Sequence, residues 1–215
     1  MTNSEFHGIQ ADSATDALCL AAVAGKVKEM KLLLDDGFNI DGIAAYSKST
    51  ALASAASQGK TKSVDFLLEH GADINKPGAY DLTPLMQACS TGGGRGSKMA
   101  LHLMEAGADV NCVRETDEMT ALKFAVGRCK PEVIQALLER DADVDGPAGT
   151  SQTALMLAAR ANNVDALKML VQHGADVNLT CGLPWAENRT ALGLAEMERK
   201  RKAIDYLSSL VDRQS

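Results

Sequence analysis

A short phrase recurs along this chain at nearly constant spacing, and no other feature limits the fold so tightly. A Thr-Ala-Leu or Thr-Pro-Leu opening is followed about two dozen residues later by a Gly-Ala-Asp-Ile/Val-Asn close. Thr50-Ala51-Leu52 leads to Gly71-Ala72-Asp73-Ile74-Asn75, and Thr83-Pro84-Leu85 to Gly107-Ala108-Asp109-Val110-Asn111. Thr153-Ala154-Leu155 leads to Gly174-Ala175-Asp176-Val177-Asn178. Fixed-period self-similarity means a stacked array, in which each unit buries its apolar surface only against its neighbours. Arrays of this kind usually bind something and catalyse nothing.

The register sorts the chain into equivalent slots. Openings fall at Asp16, Thr50, Thr83, Thr120, Thr153 and Thr190, at intervals of 34, 33, 37, 33 and 37 residues. The distance to the closing slot is 21 residues from Asp16 to Gly37, Thr50 to Gly71, Thr120 to Asp141 and Thr153 to Gly174. Two places break the spacing: Gly92 to Ser97 inside the third unit, and Leu179 to Asn188 before the last opening.

Each unit reads as two short helices. Small and apolar residues follow the opening at helical spacing: Leu52, Ala55, Ala56; Leu85, Ala88, Cys89; Leu155, Ala158, Ala159. A break comes nine residues after the opening, at Gly25, Gly59, Gly92 and Asn162, residues that tolerate left-handed backbone. Cys129 and Arg199 fill that slot in the other two units, and neither is a natural helix stop. A second stripe then runs to the close: Val64, Leu67, Leu68; Ile134, Leu137, Leu138; Leu167, Leu170, Val171. Pro131 falls where a second helix should begin, and there a missing N–H costs little. The composition agrees, with 46% hydrophobic residues but only 4% aromatic ones, which suits many small-residue helix contacts.

These phrases resemble those of ankyrin-repeat proteins, and the likeness covers roughly residues 13 to 210. It implies an all-α repeat solenoid of stacked helix–turn–helix units with an L-shaped cross-section and β-hairpin-like fingers. Departures are the residues in the usual His slot (Cys19, Ala53, Met86, Lys123, Met156, Gly193) and in the turn-Gly slot (Lys48, Asp81, Glu118, Ser151, Asn188). The expected organisation is a tail over 1–12, repeats over 13–46, 47–79, 80–116, 117–149 and 150–186, a capping repeat over 187–210, and a tail over 211–215. The expectation is an array complete at about six units, with no second domain.

The resemblance also implies a protein partner on the concave face, built from finger tips and first helices. Mapped onto this chain, the chosen contacts are Tyr46, Tyr80, Asp117, Met119, Arg128, Arg160, Trp185, Glu187 and Arg189. Tyr and Trp bring large area at low entropy cost, which favours them as anchors. Trp185, the only tryptophan, has two readings: a specificity element on an inserted loop, or a cover for the last repeat's apolar edge. Glu115, Asp117, Glu118, Asp141, Asp143 and Asp145 make the central fingers acidic, suited to a basic partner or to a solvated rim.

Other candidates read as structure. The Gly92–Ser97 run lacks a phosphate-loop pattern and is expected to be a flexible inter-helix linker ending at a helix capped by Ser97. Arg199 to Lys202 suits the solvated loop of a cap better than a targeting signal. His70 and His173 precede the closing slot, at expected helix C-termini. Cys129, between Arg128 and Lys130, is the best residue for a nucleophile, since neighbouring cations lower a thiol pKa. No metal-ligand spacing or catalytic triad stands out, so neither enzyme activity, cofactor nor metal is expected.

A formal net charge of -6 argues against nucleic-acid binding. No apolar run reaches the roughly 18 residues of a membrane span. The N-terminus lacks a signal-peptide core, and five scattered cysteines without a Cys-x-x-Cys pair suit reduced thiols. The expectation is a cytoplasmic monomer that acts as an inhibitor or scaffold. Alternatives are an immunity-type neutraliser of a basic toxin or nuclease, and an adaptor or effector acting in a host cell.

Overall fold

The recurring threonine is a helix cap. In a computed structural model describing residues 14–147 and 151–211, its hydroxyl oxygen accepts the N–H three residues on. Thr50 takes that of Ala53, Thr83 of Met86, Thr120 of Lys123, Thr153 of Met156 and Thr190 of Gly193, all at 3.1–3.3 Å. An N-cap satisfies one of the donors that a helix start leaves unpaired. The usual His slot is thus the third helical position. In the first unit Asp16 lies within a helix instead, and its carboxylate accepts the Tyr46 N–H at 3.1 Å.

Twelve α-helices follow among the described residues, and the chain divides after Gln87 into two compact units. The first unit holds α1 (Ala14–Ala24), α2 (Val27–Asp35), α3 (Ala51–Ser57) and α4 (Thr61–Glu69). Here α1 packs on α3 and α2 on α4. The division falls within α5 (Pro84–Thr91). The second unit holds α6 (Gly93–Glu105), α7 (Ala121–Arg128), α8 (Pro131–Leu138), α9 (Ala154–Arg160), α10 (Val164–Gln172), α11 (Ala191–Met197) and α12 (Arg201–Val211). First helices pack as α7–α9–α11, and second helices as α6–α8–α10–α12. Both sequence stripes are the core: Leu52, Ala55, Ala56, Leu155, Ala158, Ala159, Val64, Leu67, Ile134, Leu137, Leu167 and Leu170 are all buried.

Polar side chains join neighbouring pairs at the helix ends. Ser63 Oγ donates to the Ala22 carbonyl at 2.8 Å, and Asn163 Nδ2 to that of Val126 at 2.9 Å. The closing motif does the same at its loops. Asp109 and Asp176 each accept the N–H two residues on at 2.8 Å. The residue two beyond that Asp reaches to the next loop: Asp41 accepts the Asp73 N–H at 3.0 Å, Asn111 that of Asp143 at 2.8 Å and Asp145 that of Asp176 at 3.2 Å. The close is therefore a ladder of caps along successive loops.

Left-handed backbone sits where the register requires it, with or without glycine. Gly25, Gly59, Gly92 and Asn162 have positive φ, and so does Arg199. Cys129 is the exception; it is extended, and Lys130 adopts the extended form favoured before Pro131. In the fingers Lys48, Asp81, Glu118 and Asn188 hold φ of 54–57° where a turn glycine is missing. One finger has paired strands among the described residues, β1 (Val113–Arg114) with β2 (Met119–Thr120), so the hairpin-like expectation is met there by a strand pair and in the other fully described fingers by turns.

The linker expected over Gly92–Ser97 is instead helix. Residues from Gly93 onward form the start of α6, which has 13 residues against 9 in α4 and α10. Ser97 is not a cap; it is buried and accepts the Lys130 N–H at 3.0 Å. The glycines serve close approach, because a Cβ at Gly96 would overlap the Ala88 carbonyl oxygen and one at Gly92 the Arg128 carbonyl. A Cβ at Gly94 meets nothing.

Two stability predictions follow from this packing. Gly96→Ala should destabilise by about 1–3 kcal/mol through overpacking, whereas Gly94→Ala should be neutral or stabilise by up to about 1 kcal/mol; urea titrations of both variants check the contrast. Burial, helped by Asp176 and Asp143, holds the Asp145 carboxyl above the usual range, against the bond from the Asp176 N–H. The folded chain thus binds that proton more readily than the unfolded one, and stability falls as pH rises through this window. Asp145→Asn keeps the acceptor, as Asn111 does in the same slot, and removes the charge. It should raise stability at pH 7 by about a few tenths of a kcal/mol after solvent screening, seen as a small rise in melting temperature, with no gain at pH 3.

Candidate functional site

The finger of β1 and β2 forms one wall of a depression in the second unit. Arg114, opposite Met119 in the strand pair, forms an ion pair with Asp117 and lies 5.5 Å over the Phe124 ring. That guanidinium keeps the Asp117 carboxyl below its ordinary range. Behind the finger, Lys123 is buried at 3% exposure. Its Nζ donates to the Glu118 carbonyl at 3.0 Å, the Pro147 carbonyl at 3.3 Å and Ser151 Oγ at 3.0 Å. Burial pulls the Lys123 pKa down, against the pull of Glu118, Asp117 and Asp143.

Between this finger and the next lies an open depression of about 480 Å³. Glu115 to Met119 line one side; Ser151, Gln152, Leu157 and Leu183 line the rest. Gln152 Oε1 accepts from Arg160 at 2.8 Å, while its Nε2 is buried without a hydrogen-bond partner. Arg160 also pairs with Glu198, and its guanidinium stacks 4.8 Å over the Trp185 ring. Trp185 rides on a 3-10 turn, Pro184–Ala186, within the second insertion. Buried Cys181 and Ala186 and the bond from the Cys181 N–H to the Arg189 carbonyl at 2.9 Å anchor that insertion. The residue remains 45% exposed, so the tryptophan is both packed and presented.

The structure therefore brings together some of the expected contacts. Asp117 and Met119 line the depression, and Arg160 and Trp185 adjoin it through Gln152. Glu187 and Arg189 pair with each other at 2.7 Å on the same insertion. Arg128 donates to the Ser90 carbonyl at 2.9 Å and does not line the depression. In the first unit Tyr46 and Tyr80 stand on their own fingers, 94% and 84% exposed, with Tyr80 in the left-handed region at φ 58°. Sequence reasoning missed Lys123 as a tie and Glu198 as the partner of Arg160. A lysine in a slot elsewhere filled by Cys, Ala, Met or Gly was the available signal, since lone lysines are rarely buried.

Cys129 owes its thiol acidity to a source other than the flanking cations. Hydrogen bonds from Cys89 and Ser97 lower its pKa against the effect of burial, while Cys89 is raised well above normal by that same bond and by burial. Burial likewise pushes Cys19 up to about 11. Among the described residues no group of three or more His, Cys, Asp or Glu is placed to hold a metal. No helix among them is long and apolar enough to cross a membrane. His70 and His173 cap their helices, each with Nδ1 at 2.7–2.8 Å from a carbonyl four residues back.

Against known proteins, the family model for ankyrin repeats matches residues 3–78, 48–114, 85–181 and 147–213. The chain belongs to the ankyrin-repeat family. Curated relatives include the regulatory protein NPR6 of Arabidopsis thaliana, 48% identical over 65 residues, which are 29% of this chain and 14% of that protein. Another is the ankyrin repeat and KH domain-containing protein mask of Drosophila melanogaster, 36% identical over 95 residues, 44% of this chain and 2% of that one. The chain thus spans only a small part of the curated relatives it matches. Among solved structures, one chain of the complex between the predatory endopeptidase Bd0816 of Bdellovibrio bacteriovorus and immunity protein Bd3460 aligns with a TM-score of 0.75. That match has 23% identity and covers 90% of this chain and 97% of the other, a likeness of fold. Ankyrin repeats are protein-interaction modules, and no catalytic family is indicated.

The thiols give a further prediction. In the native protein iodoacetamide should modify Cys129 much faster than Cys19, Cys89 or Cys181, which are buried, and the three should become equally reactive in 6 M guanidinium (roughly, beyond the unfolding range of ordinary domains). Peptide mass mapping over time reads the order.

Proposed function

We propose that this chain is a non-enzymatic binding protein that captures a partner protein on the finger side of its second unit. The observation that carries this reading is the half-exposed Trp185, held by Arg160 beside the depression that Asp117 and Met119 line. Interface hot spots are rich in Trp, Tyr and Arg, and a preset aromatic anchor loses little freedom on binding. Tyr46 and Tyr80, exposed in the first unit, supply a separate anchor pair. Arg128, Glu187 and Arg189 are rim contacts in this reading; their internal partners limit what each adds. Acidic fingers favour a partner with a basic surface. Free cysteines suit a reducing, cytoplasmic setting, and the protein is taken to act as a monomer without nucleic acid or membrane.

Occlusion of the partner is the favoured mode, as an inhibitor or scaffold. The likeness to a chain of an endopeptidase–immunity protein complex supports an immunity-type neutraliser as the second reading. The immobilised chain, exposed to extract of its source organism with captured proteins identified by mass spectrometry, tests the proposal. Trp185→Ala should cut capture at least tenfold, consistent with a hot spot of about 2 kcal/mol, while its melting curve stays cooperative. Undiminished capture by both Trp185→Ala and Tyr46→Ala/Tyr80→Ala would sink the assignment of these anchors.

A further inference from the structure

We infer that the depression between the two fingers of the second unit is a socket for one cationic side chain, a lysine or arginine presented by an extended segment of the partner. This rests on the proposed partner binding and names the chemistry of that same site. The lining contains Glu115, Asp117 and Glu118 and no lysine or arginine. The cations beside it are already committed, Arg160 to Gln152 and Glu198 among them. Arg114 is drawn to Asp117, and the Lys123 ammonium is turned to two carbonyls and a hydroxyl behind the wall. Glu115 is exposed and has no ion-pair partner among the described residues, so it is available to an incoming charge.

The remaining lining fits the rest of such a side chain. Met119, Leu157 and Leu183 add apolar lining beside the carboxylates. Lysine and arginine carry a hydrocarbon stem and a charged head, and a site lined by both apolar and anionic groups matches both parts. Gln152 supplies the third element. With Oε1 engaged by Arg160, its Nε2 is a buried donor without a partner at the edge of the depression. Leaving such a donor unpaired costs free energy, and a small turn of the side chain would let it meet a backbone carbonyl of an extended segment. A purely apolar segment would instead strip water from the exposed Glu115 carboxylate without replacement, which is unfavourable. The volume, about 480 Å³, lies within the range that accommodates a side chain and its flanking backbone.

Amide NMR titration of the full chain tests this with defined probes. N-acetyl-lysine methylamide and N-acetyl-arginine methylamide should give saturable shifts confined to residues 115–119, 151–157 and 183. The isosteric N-acetyl-norleucine methylamide and the lysine probe acetylated at Nζ should bind at least tenfold more weakly. Glu115→Gln should weaken the cationic probes about threefold to tenfold, and Glu115→Lys should abolish their response, with both spectra otherwise unchanged. Equal response to the norleucine probe, shifts centred elsewhere, or no saturable shift with either cation would each overturn the inference. The two proposals fail separately. If partner capture still depends on Trp185 while the probes do not bind, only the socket is lost. Probe binding without any captured partner would leave the socket and remove the proposed function.

Discussion

A helix of seven to nine residues has too few internal hydrogen bonds to offset its own nucleation, and nine of the twelve helices among the described residues are that short. Everything else answers this constraint. Threonine caps recover a donor at five of the six first helices, left-handed residues turn the chain sharply into the second helix everywhere but at Cys129, and side chains from one pair close the open ends of the next. The apolar stripes then find cover only by lying against the equivalent stripes of a neighbour. Stability in such an architecture is a sum of local units and nearest-neighbour contacts.

That logic explains how much could be read from the chain before any coordinates. The stripes at Leu52, Ala55 and Ala56 and at Val64 and Leu67 were legible because helical spacing and burial share one period. The inter-helix breaks were legible wherever glycine or asparagine filled them. Arg199 adopts the same left-handed turn without a residue that announces it, because the backbone is fixed from both sides by α11 and α12. The Gly-rich run misled for a physical reason. Glycine signals flexibility when it is exposed, but at Gly96 it signals a backbone approach too close for any side chain, and one sequence cannot distinguish the two.

The site was legible in part. Exposure of Tyr46 and Tyr80 follows from the finger register, and the insertion around Trp185 was visible as a break in spacing. What the spacing could not show was which of these residues share a surface. Arg160 meets Trp185 and Glu198 through packing of α9, α11 and the insertion, a contact set by tertiary geometry. The acidity of Cys129 was misattributed for the same reason: its sequence neighbours are cations, but its spatial neighbours are Cys89 and Ser97.

The buried Lys123 ammonium has a consequence for recognition. Its three hydrogen bonds reach the carbonyl of Glu118 on one side and Pro147 and Ser151 on the other. One nitrogen atom thus sets the separation of two fingers, much as a rivet sets the gap between plates. A groove whose width is fixed in advance need not be ordered by its guest, so discrimination falls on the shape and charge of what enters. A guest of the wrong size cannot pry the walls apart without breaking these hydrogen bonds. Selectivity would then reside in a residue that the partner never touches.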